Sequence, residues 1–374
     1  MKRIHAVVMG GLGLAMALSA CSSGGTPTDT TSSAAGGDET TAASTTTGPV
    51  SIGSVVYKFD DTFMSSMREA MSAEATAKDA SIDIQDGQND QAKENEIVNT
   101  FVTQGVNVLA INPVKADIID PVLQSAQGAD LPIVFFNKQP SDDVMNSYDK
   151  AYYVGAKAED SGTMMGEMLV DYFKQYPDAD KNGDGKVQFV MITGEINHQD
   201  AVARSKYSQK ALADAGLIDD FDIDSWTQSS PPTDCMLANQ SANWDTSAAT
   251  DLMNNWITSI GLDKIEAVIA NNDDMGLGAI AALQSNGYNK SAADKGDPTK
   301  YIPVVSVDAT DKGKAALKDG SLLGTVLNDA ENQGKAVVNL SIAAAQGNVS
   351  QDTVGYEITD GKYVWIPYVK VTEA

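Results

Sequence analysis

The sequence predicts an α/β protein whose parallel sheets are covered by helices on both faces. Two observations carry this. Short β-rich runs alternate with longer helical patterns from about residue 50 onward, and the strand runs are continuously apolar instead of alternating apolar with polar. No stretch repeats with a period of about 20 to 50 residues, so the chain is not a solenoid. At 374 residues and 42% hydrophobic it is long enough for two domains, at roughly 150 residues each.

Val50 to Phe59 reads as the first strand, and Phe63 to Lys78 as a helix with Phe63, Met67, Ala70, Met71 and Ala75 on one face. Ser81 to Asp86 is strand-like, Asn95 to Gln104 helical, Val106 to Ile111 a strand, Ile118 to Gln127 a helix and Pro132 to Phe136 a strand. The rhythm returns in Gln188 to Thr193, Ala201 to Ala215, Ala248 to Ile257, Ala267 to Ala270, Met275 to Ser285, Pro303 to Val307 and Lys312 to Asp319.

Composition narrows the function. With 26 Lys plus Arg against 51 Asp plus Glu, the net charge is −25, which excludes a dedicated nucleic-acid or anionic-membrane binder. Two cysteines and two histidines exclude a disulfide framework and a His-rich or Cys-rich zinc cluster.

The N-terminus carries an address. Residues 1 to 20 hold Lys2, Arg3 and His5, then an apolar small-residue run and no acid, which reads as an export signal too short to span a membrane. It ends in Leu18-Ser19-Ala20-Cys21, which resembles the lipobox of bacterial lipoproteins; that likeness implies a lipidated Cys21 at the mature N-terminus. Residues 22 to 49 are almost entirely Ser, Thr, Gly, Ala, Asp and Glu, a disordered linker spanning roughly 30 Å. Cys235 is then expected to be a free, structural thiol, and His198 the only histidine left after cleavage.

Polar residues gather where strands end. Val55 to Phe59 runs into Asp60-Asp61, Ile133 to Phe136 into Asn137, Val268 to Ala270 into Asn271-Asn272-Asp273, and Val304 to Val307 into Asp308. Asp and Asn in such places are common helix N-caps. They are also where open α/β sheets bind ligands, in the crevice outside the carboxyl ends of the strands. There is no G-x-G-x-x-G after the first strand, no phosphate-binding loop and no G-x-S-x-G elbow. Carboxylates and amides without basic clusters suit a neutral polyhydroxylated ligand, whose hydroxyls both donate and accept.

The segment Tyr57-Lys58-Phe59-Asp60-Asp61-Thr62-Phe63-Met64-Ser65 resembles the opening of the bacterial D-galactose/D-glucose-binding proteins, the soluble receptors of sugar ABC importers. The likeness continues through Gly105 to Pro113, Val134 to Lys138, Ser147 to Gly155, Lys264 to Asp273 and Gly324 to Ala330, covering essentially residues 50 to 370. It implies a type I periplasmic-binding-protein fold, two doubly wound parallel-sheet lobes joined by a three-segment hinge with the sugar between them. Lobe boundaries are expected at 50–155 plus 328–363 and at 156–327 plus 364–374. Carried over position by position, the ligand contacts fall on Asp61, Phe63, Asn137, His198, Asp200, Arg204, Trp244, Asn272, Asp308 and Asn328. Phe63 and Trp244 suit the two apolar faces of a pyranose. Arg204 is expected to keep Asp200 and Asp308 ionised while offering spare donors.

A second constellation is Asp180-Lys181-Asn182-Gly183-Asp184-Gly185-Lys186-Val187-Gln188. Oxygen-bearing side chains at positions 1, 3, 5 and 9, glycine at 6 and a backbone carbonyl at 7 match an EF-hand calcium loop. Position 12 is Met191, which cannot ligate; the resemblance implies that Glu266 closes the shell, giving a structural Ca2+ held by Asp180, Asn182, Asp184, Lys186, Gln188 and Glu266. The chain departs from the family pattern between Leu217 and Trp244, where a longer Ser- and Pro-containing excursion is expected to affect how Trp244 is presented.

Together these features imply an extracytoplasmic, lipid-anchored receptor with a monomeric body. It would close over D-galactose or D-glucose and deliver it to a membrane ABC permease, with a chemoreceptor as a further reader of the closed state. The same fold with a pentose, a galactoside or a furanosyl compound stays open. So does a glycosidase using two crevice carboxylates, against which Arg204, Asn137, Asn272 and Asn328 are expected to hold Asp61, Asp200 and Asp308 ionised, whereas hydrolysis needs one acid with a raised pKa.

Overall fold

A computed structural model describes residues 48–373, so the leader, Cys21 and nearly all of the linker lie outside the described residues. The chain first lays down β1 (Ser51–Val56), α1 (Thr62–Ala77), β2 (Ser81–Asp86), α2 (Gln91–Gln104), β3 (Val108–Ile111), α3 (Asp120–Gly128), β4 (Ile133–Phe136), α4 (Asp142–Asn146) and β5 (Ala151–Gly155). It then repeats the plan with α5 (Ala158–Gln175), β6 (Phe189–Thr193), α6 (Gln199–Asp214), β7 (Met236–Ser241), α7 (Thr246–Ser259), β8 (Ala267–Ala270), α8 (Asp273–Ser285), β9 (Val304–Asp308), α9 (Asp311–Asp319) and β10 (Gly324–Leu327). Finally α10 (Ala330–Ala345), α11 (Gln351–Val354) and β11 (Tyr363–Trp365) return to the first sheet, and β12 (Val369–Val371) ends on the second.

The two sheets share one topology. Their orders are β2-β1-β3-β4-β5-β11 and β7-β6-β8-β9-β10-β12, and every strand pair is parallel except β10 with β12. The strand order reverses between β1 and β3, and again between β6 and β8. At such a switch point the helices leave to opposite faces and open a crevice at the carboxyl ends. Helices on both faces explain why β3, β4 and β8 are buried throughout, while the edge strand β2 is only half-buried on alternate residues.

Each sheet carries a core on each face. On the first, Met67 and Met71 of α1 meet Ala336, Val337 and Leu340 of α10, while Phe101 and Val122 pack with Leu109 and Phe135 opposite. On the second, α5 contributes Met165, Leu169 and Phe173, and α7 and α8 contribute Met253, Trp256, Met275 and Leu283. Glycine decides one contact: a Cβ at Gly166 of α5 would stand 2.6 Å from the Ser208 carbonyl of α6, so only glycine lets these helices approach so closely.

Three connections cross between the sheets: β5 to α5, β10 to α10 and β11 to β12. The third lies later than the sequence suggests. Val364 and Trp365 pair with Val154 and Gly155 in the first sheet, so the chain leaves it after residue 365 and not at 363.

Phe135 is fully buried under α2 and α3. Truncation by Phe135→Ala should cost about 3–5 kcal/mol, read as a lowered denaturant midpoint of the sugar-free protein.

Candidate ligand-binding site

All ten residues proposed as ligand contacts line one cavity, joined by Tyr57 and Met64. The space left between these side chains is small, about 30 Å³, room for a water molecule or two in this arrangement of the lobes. The first lobe supplies Tyr57, Asp61, Phe63, Met64 and Asn137, and the second supplies His198, Asp200, Arg204, Trp244, Asn272 and Asp308, with Asn328 in the connection from β10 to α10.

Capping a helix and facing the cavity turn out to be the same job. Asp61 is the N-cap of α1, its Oδ1 accepting from Met64 N at 2.8 Å, while its Oδ2 accepts from the Tyr57 hydroxyl at 2.7 Å. Asn272 caps α8, its Oδ1 accepting from Met275 N at 3.0 Å, which leaves its amide nitrogen to donate. His198 caps α6: Nδ1 accepts from Asp200 N at 3.1 Å, so the ring proton sits on Nε2. Asn137 adopts a left-handed φ of 58°, and the buried Asn112 donates to its Oδ1 at 3.1 Å, leaving Nδ2 free to donate. Gln333 likewise orients Asn328 by donating to its Oδ1 at 2.5 Å.

Arg204 is the hub. It is 3% exposed; Nη1 donates to the Asn271 carbonyl at 2.8 Å, and Nη2 donates to Tyr368 Oη at 3.1 Å and to Asp200 at 3.3 Å. Its Nε finds no partner among the described residues. Trp244 holds a left-handed φ of 65° and lies on Gly194, where a Cβ would stand 2.2 Å from the indole. His198 meets the same indole edge-on, with centroids 5.1 Å apart.

The expected ionisation of the aspartates needs correction. Burial outweighs Arg204, pushing the Asp200 carboxyl up to about 6 and that of Asp308 well above the usual carboxylate range. The Asp200 contact is loose, and Asn328 reaches Asp308 only at 3.5 Å. Burial also lowers Arg204, but Tyr368, Asp200 and Asp308 more than offset it and keep the guanidinium charged. Burial first, then Lys138 and Arg204, drive His198 well below its ordinary value, so the imidazole is neutral. The electrostatic case against a glycosidase therefore does not hold, and the matter is decided by kinship below.

Residues outside the ten expected ligand contacts complete the site. Asp273 is buried and accepts from Ser306, Thr325 and Thr310, tying β9 and β10 beneath Asn272. Across the cleft Lys138 donates to Glu195 at 2.8 Å, Thr62 to Asp274 at 2.7 Å and Gln139 N to Gln199 at 2.9 Å. The signal in sequence was only adjacency: Lys138 follows Asn137, and Thr62 follows Asp61.

The excursion after Leu217 does not touch Trp244 through any hydrogen bond. Its Trp226 is buried in the second lobe, and its Gln228 reaches Glu195 and Asn197 instead. Cys235 is a buried free thiol.

In the glycine-rich loop, Asp180 accepts from Gly183 N and Gly185 N, Asp184 from Lys186 N, and Glu266 from Lys181 N at 2.6 Å and Gln188 N at 2.9 Å. Glu266 thus lies beside the loop, 2% exposed. Among the described residues no three His, Cys, Asp or Glu side chains form a metal nest. Gln188 Oε1 is nevertheless buried without a partner, an oxygen suited to a hard cation.

Two doubly wound lobes enclosing a polar cavity with an aromatic side chain from each define an extracytoplasmic solute-binding protein. Residues 52–348 match the periplasmic binding protein domain, and the chain belongs to that family. It is 36% identical to the D-galactose/methyl-galactoside binding periplasmic protein MglB of Haemophilus influenzae over 86% of this chain and 88% of that one. It is 29% identical to a putative rhizopine-binding protein of Rhizobium meliloti over 87% of this chain and 90% of the relative. A crystal structure of an ABC transporter solute-binding protein from Bacillus halodurans with bound myo-inositol superposes with a TM-score of 0.68 at 26% identity, covering 87% of this chain and 96% of that one. The protein is a binding protein and not an enzyme.

A pH test follows from Asp200. Its folded pKa of about 6 lies above the unfolded value of 3.8, so between these the folded state keeps a proton the unfolded state has lost, and stability falls as pH rises through that window. His198 acts oppositely, because the unfolded imidazole takes up a proton below about 6.5 that the folded one refuses. The difference between variants separates them: Asp200→Asn should gain on the order of 2–3 kcal/mol relative to wild type between pH 4 and pH 7. Parallel melting curves for the two proteins across that range would contradict the burial-dominated site.

Proposed function

We propose that this protein binds a neutral hexose, D-galactose or D-glucose, between its lobes and hands it to an ABC permease. The observation that carries the reading is the cavity lining: Phe63 and Trp244 come from opposite lobes, and Asp61, Asp308, Asn137, Asn272, Asn328, His198 and Arg204 surround them. A pyranose has two apolar faces for the rings and a rim of hydroxyls for the rest. Neutral His198 and Arg204 Nε donate, the carboxylates accept, and the amides of Asn137 and Asn272 donate. The 36% relative named for galactose supports the choice of sugar.

The second part of the proposal is a lipid anchor at Cys21 with residues 22–49 as tether, which rests on the sequence pattern. A tether of that length would let the body capture sugar and still reach a permease in the same membrane.

Titration calorimetry of residues 50–374 against a monosaccharide panel tests the ligand. Binding of galactose or glucose should be micromolar or tighter, roughly −8 kcal/mol or more favourable; no heat with any aldohexose would sink the hexose reading. Asp61→Ala should weaken binding about 10- to 150-fold, the effect of losing roughly 1.5 to 3 kcal/mol of charged hydrogen bonding, and Asp308→Ala, where burial favours the neutral carboxyl, about 2- to 10-fold.

A structural Ca2+ in the loop is the third part. Asp180, Asn182, Asp184, the Lys186 carbonyl, Gln188 and Glu266 would hold it, and buried Gln188 Oε1 supports the fit. Because Glu266 meets the loop only in the folded chain, metal should stabilise that state by about 4 kcal/mol at a thousandfold excess over Kd. Chelation and Glu266→Gln should each lower the melting temperature of the sugar-free protein and leave sugar affinity nearly unchanged. A melting temperature indifferent to chelator would leave an acidic turn without metal.

A further inference from the structure

The excursion between Leu217 and Trp244 has an anchored and a reaching part. Trp226, 6% exposed, is fixed in the core of the second lobe. The next four residues close on themselves: Ser230 N donates to the Thr227 carbonyl at 2.9 Å and Thr227 N to Ser230 Oγ at 2.8 Å. This turn presents Gln228, whose own carbonyl accepts from Asn239 of β7 at 3.0 Å. A backbone held at both ends leaves one side chain aimed outward with little freedom to lose.

That side chain grips the connection from β6 to α6. Gln228 Oε1 accepts from Asn197 N at 2.7 Å, and Nε2 donates to the Glu195 carbonyl at 3.3 Å. Asn197 sits at a left-handed φ of 64°, and His198 N donates to the same Glu195 carbonyl at 3.2 Å. The gripped segment carries two groups of the cleft: the Glu195 carboxylate, which meets Lys138 of the other lobe at 2.8 Å, and His198, which lines the cavity and touches Trp244. Lys138 in turn lies 4.1 Å from the Tyr57 ring centroid, and the Tyr57 hydroxyl donates to Asp61. A carboxamide suits the task because it alone offers a donor and an acceptor side by side to two backbone groups.

We infer that Gln228 is a positioning residue for ligand binding: it clamps the Glu195–His198 segment so that Glu195 meets Lys138 across the closed cleft and His198 faces the ligand. This rests on the reading of the cavity as a sugar site. The clamp lies wholly within the second lobe, so it is made whether the cleft is open or closed, and it spares the ligand the ordering of that segment on binding.

Gln228→Ala and Gln228→Glu test it. With D-galactose and D-glucose as probes, Gln228→Ala should weaken affinity about tenfold, the size of one or two net hydrogen bonds, chiefly by faster dissociation and with the sugar-free melting temperature lowered by no more than about 4 °C. Gln228→Glu keeps the acceptor for Asn197 N and should fall between. In a Lys138→Met background, where Glu195 has no partner to meet, most of the dissociation effect of Gln228→Ala should vanish. Hydrogen exchange on the sugar-free protein reads the clamp without ligand: the Asn197 amide should exchange about tenfold faster in Gln228→Ala while β6 is unaffected. Unchanged exchange at Asn197 overturns the inference whichever sugar binds, and so does faster exchange with unaltered affinity. If the wild-type protein binds neither hexose, the hexose reading falls and the exchange result still decides whether Gln228 holds the segment.

Discussion

A buried guanidinium organises this protein. Arg204 sits at the junction of α6, the end of β8 and the third crossing between lobes, where Tyr368 belongs. Removing a charge this size from water is costly unless its donors are used. Three hydrogen bonds, to the Asn271 carbonyl, Tyr368 and Asp200, use its terminal nitrogens, and Nε is left without a partner in a side chain that lines a cavity of carboxylates and amides. The same charge only partly offsets the burial of Asp200 and Asp308, so those acids sit close to their own neutralisation. Such a cavity is strained toward a ligand that both donates and accepts.

The second consequence is that holding the lobes together is distributed. Lys138 with Glu195, Thr62 with Asp274, and Gln139 with Gln199 span the cleft from residues beside the site, and of the site itself only the Asn137 carbonyl joins them, accepting from Gln199. Under the proposed function, a ligand touching both lobes would add to contacts that are already shaped to meet, and its higher affinity for that arrangement would favour it.

Much of this was legible in the sequence because strand ends are conspicuous: an apolar run stopping at Asp61, Asn137, Asn272 or Asp308 signals both a cap and a crevice, and the structure uses each such residue in the cavity. Helices α5 and α10 were not read from periodicity. Helix α10 buries residues around most of its circumference, which blurs the stripe that marks a half-exposed helix, whereas α5 does carry one, with Glu159, Glu167, Asp171 and Lys174 exposed opposite Met165, Leu169 and Phe173. Helix α2 begins at Gln91, a turn before the Asn95 that the sequence suggests: Asp90 caps it, while its first turn, Gln91 to Glu94, shows no apolar residue but Ala92. Ionisation was misjudged for a different reason: a sequence shows that Arg204 and Asp200 are four apart on a helix, but not that their pairing is loose and their surroundings dry. The role of Gln228 depends on where an irregular loop lands, which no local pattern encodes.

The structure of the protein crystallised with D-galactose or D-glucose tests the central claim most directly. The account predicts the pyranose ring between Phe63 and Trp244, with Arg204 Nε within hydrogen-bonding distance of a ring or hydroxyl oxygen and Asp61 and Asp308 accepting from hydroxyls. A sugar bound elsewhere, or in this cavity with Arg204 Nε still without a partner, would contradict it.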